Sequence, residues 1–168
     1  MQAPPLLPEE TFARVCRVAR FDGMSVLVVA GVFAVISALA GDVVGAVIGL
    51  LVAGAGAMEL HGVTLLHHGQ PRGMTWLWGS QCFLLLSILG YCGFQLLRSK
   101  LPALPPEVAT LIQQDADQLG MTVQEFLRMF NRMLYGGVAV ATLIYQGGMA
   151  FYYLRRRTAV QRALTTDA

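Results

Sequence analysis

The chain has 168 residues, 55% of them hydrophobic and only 13% charged, which excludes an ordinary soluble domain because too little polar surface is available to cover a core. A formal net charge of +2, carried by arginines that flank apolar runs, excludes a nucleic-acid stripe. Three cysteines, Cys16, Cys82 and Cys92, form no CxxC pair and imply no disulfide framework, and the single asparagine, Asn131, begins no glycosylation motif.

In chain order, residues 1–22 form a polar head bearing Arg14, Arg17 and Arg20 with Glu9, Glu10 and Asp22. Two uncharged runs follow, Met24 to Ala40 and Val43 to Met58, separated only by Gly41 and Asp42. A hydrocarbon core about 30 Å thick needs roughly 20 helical residues, so each run must extend slightly past its uncharged part to cross. Residues 23–66 are therefore read as a hairpin of two spans with a tight turn at Gly41-Asp42. The Ala38-Leu39-Ala40 triplet resembles a signal-peptide cleavage site, but the head is long and acidic and another apolar run follows at once.

The second run has small residues at every fourth position, Gly41, Gly45, Gly49, Ala53 and Ala57, and the first has Ala30, Ala34 and Ala38. Such GxxxG-type spacing puts small residues on one helix face, where another backbone can approach; the first span is the expected partner and a second copy the rival. Gly90, Gly93, Gly137, Gly147 and Gly148 are expected to be further contact points in the later spans.

Residues 67–73 read as a short loop, residues 74–97 as the third span and residues 133–154 as the fourth. Between them, residues 98–132 read as an extracytoplasmic amphipathic segment of two short helices. The first starts at Pro105-Pro106-Glu107 and runs up to Gly120; the second starts with the Thr122–Glu125 capping box. Residues 155–168 form a tail. The fold class expected is an all-α integral membrane protein, a four-helix transmembrane bundle with a short amphipathic helical segment between the third and fourth spans.

Orientation follows from the basic residues. Eight of twelve (Arg14, Arg17, Arg20, Arg72, Arg155, Arg156, Arg157, Arg162) fall on the side of the termini, which is thereby expected to be cytoplasmic, in a bacterial inner membrane. Trp76, Trp78, Phe151, Tyr152 and Tyr153 are expected to be interfacial anchors on that side.

Glu59 is the one acid inside a run, about 25 Å from the hairpin turn and so near the cytoplasmic edge of the core. In a hairpin turning at Gly41-Asp42, Glu59 lies level with Met24, His61 with Asp22, and Val63 near Arg20. Ion pairing of Glu59 with Arg20 and of Asp22 with His61 is the structural expectation. The functional expectation gathers Glu59, His61, Gln81 and Gln146 as a ligand- or proton-binding cluster. His67 and His68 are adjacent and point apart, so no metal is expected, and no cofactor. No nucleophile–base set, phosphate loop or dinucleotide fingerprint is present, so no catalytic residue is assigned. These features favour a non-enzymatic accessory, scaffold or interaction subunit in contact with the lipid bilayer and with another membrane protein or a second copy. The alternative is a small transporter or ligand- or proton-binding protein using the Glu59 level.

Overall fold

The structure, a computed structural model, describes residues 8–97, 112–114, 116, 118 and 120–166. Among the described residues four long helices are present: α1 (Pro8–Leu39), α2 (Val43–His67), α3 (Gly73–Leu97) and α4 (Val123–Thr166). All four are long and apolar enough to cross a membrane. No proline lies between Pro8 and Pro71 or after Pro106, so nothing breaks α1, α2 or α4 from within. The head from Pro8 onward is thus continuous with the first span. The second outer helix, the fourth span and most of the tail are likewise one helix of 44 residues, far longer than the roughly 20 a bilayer needs.

Two compact units divide the chain: Met1–Ile88 with Thr142–Ala168, and Leu89–Ala141. In the first, α1 and α2 are joined by a two-residue turn. Gly41 adopts a positive φ of 74°, which a side chain would resist, and lets the Asp42 amide reach back to the Ser37 carbonyl at 2.9 Å. Asp42 then caps α2, its carboxylate accepting from the Gly45 amide at 3.0 Å. Gly69, with a φ of 71°, ends α2 in the same manner.

The two helices meet along a seam of small residues. A Cβ on Gly49 would sit 2.8 Å from that of Ala34, and one on Gly56 only 2.7 Å from the Gly23 carbonyl oxygen. The buried small residues on the α2 side of the seam include Gly45, Gly49, Ala53 and Gly56; Gly45 faces Ser37, Gly49 faces Ala34 and Gly56 faces Gly23, and Ala30 is also buried on α1. The seam therefore departs from strict fourth-residue spacing at its ends. Gly41 makes the turn, Ala57 is exposed and Gly56 takes its place, while Ser37 replaces Ala38. Repeated steps of four drift about 40° each around a helix of 3.6 residues per turn, so a straight contact must alternate steps of three and four. Gly90, Gly93, Gly137, Gly147 and Gly148 have no described neighbour within 4 Å of an added Cβ and are not close-contact points.

The apolar core of this unit joins the first half of α1 (Val15, Cys16, Ala19) to Val63, Leu66, Met74, Leu77, Tyr153 and Val160. Towards the hairpin turn, by contrast, large apolar side chains such as Val29, Ile36, Val43 and Leu50 are exposed. Only 6% of the most apolar window of α4 is buried by the protein itself. Such surface is stable only when lipid or another protein covers it.

In the second unit, the residues ahead of α4 close on Gly120, with a φ of 65°, and a bond from the Met121 amide to the Ala116 carbonyl at 3.0 Å. The expected capping box is present: the Glu125 carboxylate accepts from the Thr122 amide at 3.0 Å, and Thr122 Oγ1 accepts from the Glu125 amide at 3.3 Å. Tyr91 stacks edge-on to Tyr135 at 5.8 Å, and the Asn131 side chain donates to the Gln95 carbonyl at 3.3 Å. The helix start proposed at Pro105-Pro106-Glu107 lies outside the described residues.

The seam predicts that Gly49→Leu destabilises the protein by about 1–3 kcal/mol through overpacking. Gly54→Ala, where an added Cβ meets nothing within 4 Å, should be neutral. Thermal unfolding of both variants in detergent micelles checks this; equal loss in both would show that the seam is not tight.

Candidate functional site: a buried acid pair

Each helix of the first unit carries a polar residue on the stripe that otherwise builds its core. In α1 the buried stripe runs Val15, Ala19, Asp22; in α2, Gly56, Glu59, Val63, Leu66; in α3, Met74, Leu77, Gln81, Leu84. In α4, Gln146, Tyr153 and Val160 follow at sevens on one face. Steps of three, four or seven keep these residues on one side, so the fold that buries the leucines buries the acids too.

The side chains converge. Tyr153 donates its hydroxyl to Glu59 Oε1 at 2.5 Å. Gln81 Nε2 donates to Glu59 Oε2 at 3.0 Å and to Asp22 Oδ2 at 3.1 Å. Tyr145 donates to Asp22 Oδ1 at 2.9 Å. Every carboxylate oxygen of the pair thus accepts one bond. Glu59 and Gln81 are each 1% exposed and Asp22 is 7% exposed. Only an NH2 group can lie between two carboxylates, so the orientation of the Gln81 amide is dictated by its neighbours. Its Oε1 is left buried without a donor, as is Oε1 of Gln146. The Gly23–Gly56 approach makes this possible, because a Cβ on Gly23 would lie 3.2 Å from that of Glu59.

Among the described residues neither carboxylate meets a lysine, arginine or histidine. The expected ion pairs are therefore corrected. Arg20 is exposed on the far side of its helix from Asp22, two residues and about 200° away. His61 is likewise two residues past Glu59; it is exposed and rests edge-on against Trp76 at 5.0 Å. Of the expected cluster of Glu59, His61, Gln81 and Gln146, the structure brings Glu59 and Gln81 together through one bond and leaves His61 outside. Gln146 is buried, but no hydrogen bond joins it to Glu59 or Gln81. His67 and His68 each turn Nδ1 to the carbonyl four residues back, at 2.9 and 2.7 Å. Among the described residues no group of three or more His, Cys, Asp and Glu side chains is placed to hold a metal ion.

Three members escaped the sequence reading in their actual roles. Asp22 is a partner of Glu59 through Gln81, and the hairpin level rule does place the two acids within about 5 Å in height. Tyr153, expected at the membrane interface, is fully buried, while Phe151 beside it is 64% exposed. Its spacing of seven from Gln146 was the available signal. Tyr145 lies on an exposed face and only its hydroxyl reaches inward, which no pattern announces.

The two acceptor oxygens sharing Gln81 Nε2 are at most about 6 Å apart, where two unit charges repel by about 3 kcal/mol at an effective dielectric constant near 20. Neutral donors soften this without cancelling it. Placing one positive charge on or beside the pair would relieve that repulsion.

Replacing Gln81 by leucine removes a donor from both acids and should cost about 1–3 kcal/mol of stability, read by thermal unfolding in detergent. Wild-type stability in Gln81→Leu would show that the shared amide does not hold the pair together.

No protein-family model, curated protein or solved structure matches the chain.

Proposed function

We propose that the chain is a proton-binding and proton-passing protein of a bacterial-type inner membrane, with both termini cytoplasmic. The observation that carries the reading is a pair of buried acids from two helices, bridged by one amide and given only neutral donors. Acids placed in a membrane interior without a basic partner are costly, and proton relays are a recurrent use of them.

The two tyrosines of α4 that donate to the pair support it. Tyr153 forms part of a groove of about 290 Å³ with Met74, Thr75, Trp78, Leu154 and Arg157. At the other end, Tyr145 is half exposed and stands two helical turns, about 12 Å, further along α4. Hydrogen bonds link Tyr153 to Glu59, Glu59 through Gln81 to Asp22, and Asp22 to Tyr145. A hydroxyl can hand its proton to a carboxylate while accepting another, so Tyr153 serves as relay and the acids as store. Transfer between the acids runs directly from one carboxyl to the other, since an amide is a poor relay and here serves to hold them.

The accessory or scaffold role favoured by sequence, with another membrane protein or a second copy as partner, rests on the lack of a catalytic constellation. The geometry favours the alternative, because a scaffold has no use for a buried, unneutralised acid pair.

Reconstitution into vesicles carrying an internal pH dye, under an imposed potassium diffusion potential, tests this. The wild type should pass protons well above protein-free vesicles, Asp22→Asn and Glu59→Gln should each lower the flux at least about tenfold, and Tyr153→Phe should fall between. Replacing sodium by choline should change nothing. Flux equal to empty vesicles, or wild-type flux in both acid variants with folding intact, would overturn the reading; loss of flux in choline would reassign the guest to sodium.

A further inference from the structure

A second site lies on the opposite, outer surface of α1. A groove of about 590 Å³ runs beside Arg17 and Arg20 and is lined also by Phe12, whose ring meets that of His67 edge-on at 6.2 Å. Residues three apart share a helix face, so the two guanidinium groups project side by side. Both arginines are exposed, and neither is drawn into the acid pair.

The groove changes character along its length. Beyond Arg20 its lining is Phe21 and Met24, 78% and 55% exposed, and the same flank of α1 continues with exposed Val28 and Val32. Two cations at one end and a lengthening apolar track at the other match a single amphipathic molecule with an anionic head. The nearest acids on this helix are Glu9 and Glu10, two turns before Arg17, and Asp22 is turned into the core. Among the described residues no acid pairs with either arginine.

We infer that this groove binds an anionic phospholipid, its phosphate held by Arg17 and Arg20 and one acyl chain laid along Phe21, Met24 and Val28. Basic pockets beside membrane-spanning helices recognise anionic head groups in this way, by bidentate guanidinium–phosphate bonds at the level where the helix leaves the hydrocarbon. A free phosphate satisfies the arginines but leaves the apolar track bare, so a lipid is the better occupant. The inference rests on the membrane-spanning reading of the helices, and is independent of proton passage.

The test uses the full chain purified in neutral detergent, with phosphatidylglycerol or phosphatidylcholine of identical chains added and bound lipid read by native mass spectrometry. Phosphatidylglycerol should bind at least about tenfold more tightly than phosphatidylcholine, and the preference should vanish in R17Q/R20Q. It should persist in R155Q/R157Q, which removes equal charge elsewhere, and in Glu59→Gln. Thermal unfolding with inorganic phosphate supplies the other arm, and phosphate should give less protection than phosphatidylglycerol. Equal binding of the two lipids to the wild type, an undiminished preference in R17Q/R20Q, or equal protection by inorganic phosphate would each overturn the site. Failure of the membrane reading is separately visible, as extraction of the chain without detergent.

Discussion

The approach of two backbones at Gly23 and Gly56 is the constraint on which the rest of the first unit depends. A Cβ on Gly56 would fall 2.7 Å from the Gly23 carbonyl oxygen, so any side chain there would push α1 and α2 apart. With both positions bare, aspartate, whose side chain is among the shortest polar ones, can reach the same amide nitrogen as a glutamate on the neighbouring helix. Separate the helices by the width of one methyl group and Gln81 can serve only one acid. The small-residue seam is thus a device for bringing charge together as well as for packing.

That seam also explains where the molecule is dense and where it is bare. Near the chain ends, α1 and α2 find Tyr153 and Val160 of α4 and Met74 and Leu77 of α3, and the core there is closed. Towards the Gly41-Asp42 turn the hairpin buries only its small residues, and its valines and leucines face outward. A chain that displays this much apolar surface is matched to a solvent that is itself apolar. The polar cluster lies between the two regions.

Acids in such a position are tolerated because every carboxylate oxygen has a donor, and among the described residues no donor is a cation. An arginine in place of Gln81 would neutralise the pair and fix it. The amide instead holds both acids at one distance and leaves their charge unanswered, with its own carbonyl oxygen still lacking a donor. Two tyrosines, one buried and one half exposed, donate to the pair from α4. The outer face of α1 uses the opposite chemistry, arginines beside an apolar track, so a single helix presents an acid inward and bases outward two residues apart.

Composition and run length by themselves determined an all-helical chain with four stretches able to cross a membrane, because hydrophobicity and the 1.5 Å rise per residue act locally. The turn at Gly41-Asp42 and the Thr122–Glu125 cap were equally legible, since each is made by residues within five positions of one another. Glu59 and Gln81 were found for the same reason, as polar residues standing in apolar runs. What the sequence could not state is rotation. Whether Glu59 faces Arg20 or Gln81, whether Ala57 or Gly56 lines the seam, and whether Tyr153 points to the interface or the core each turn on about 100° of helix phase. Only packing against other helices chooses that angle, so tertiary structure decided that the acids meet each other in place of bases.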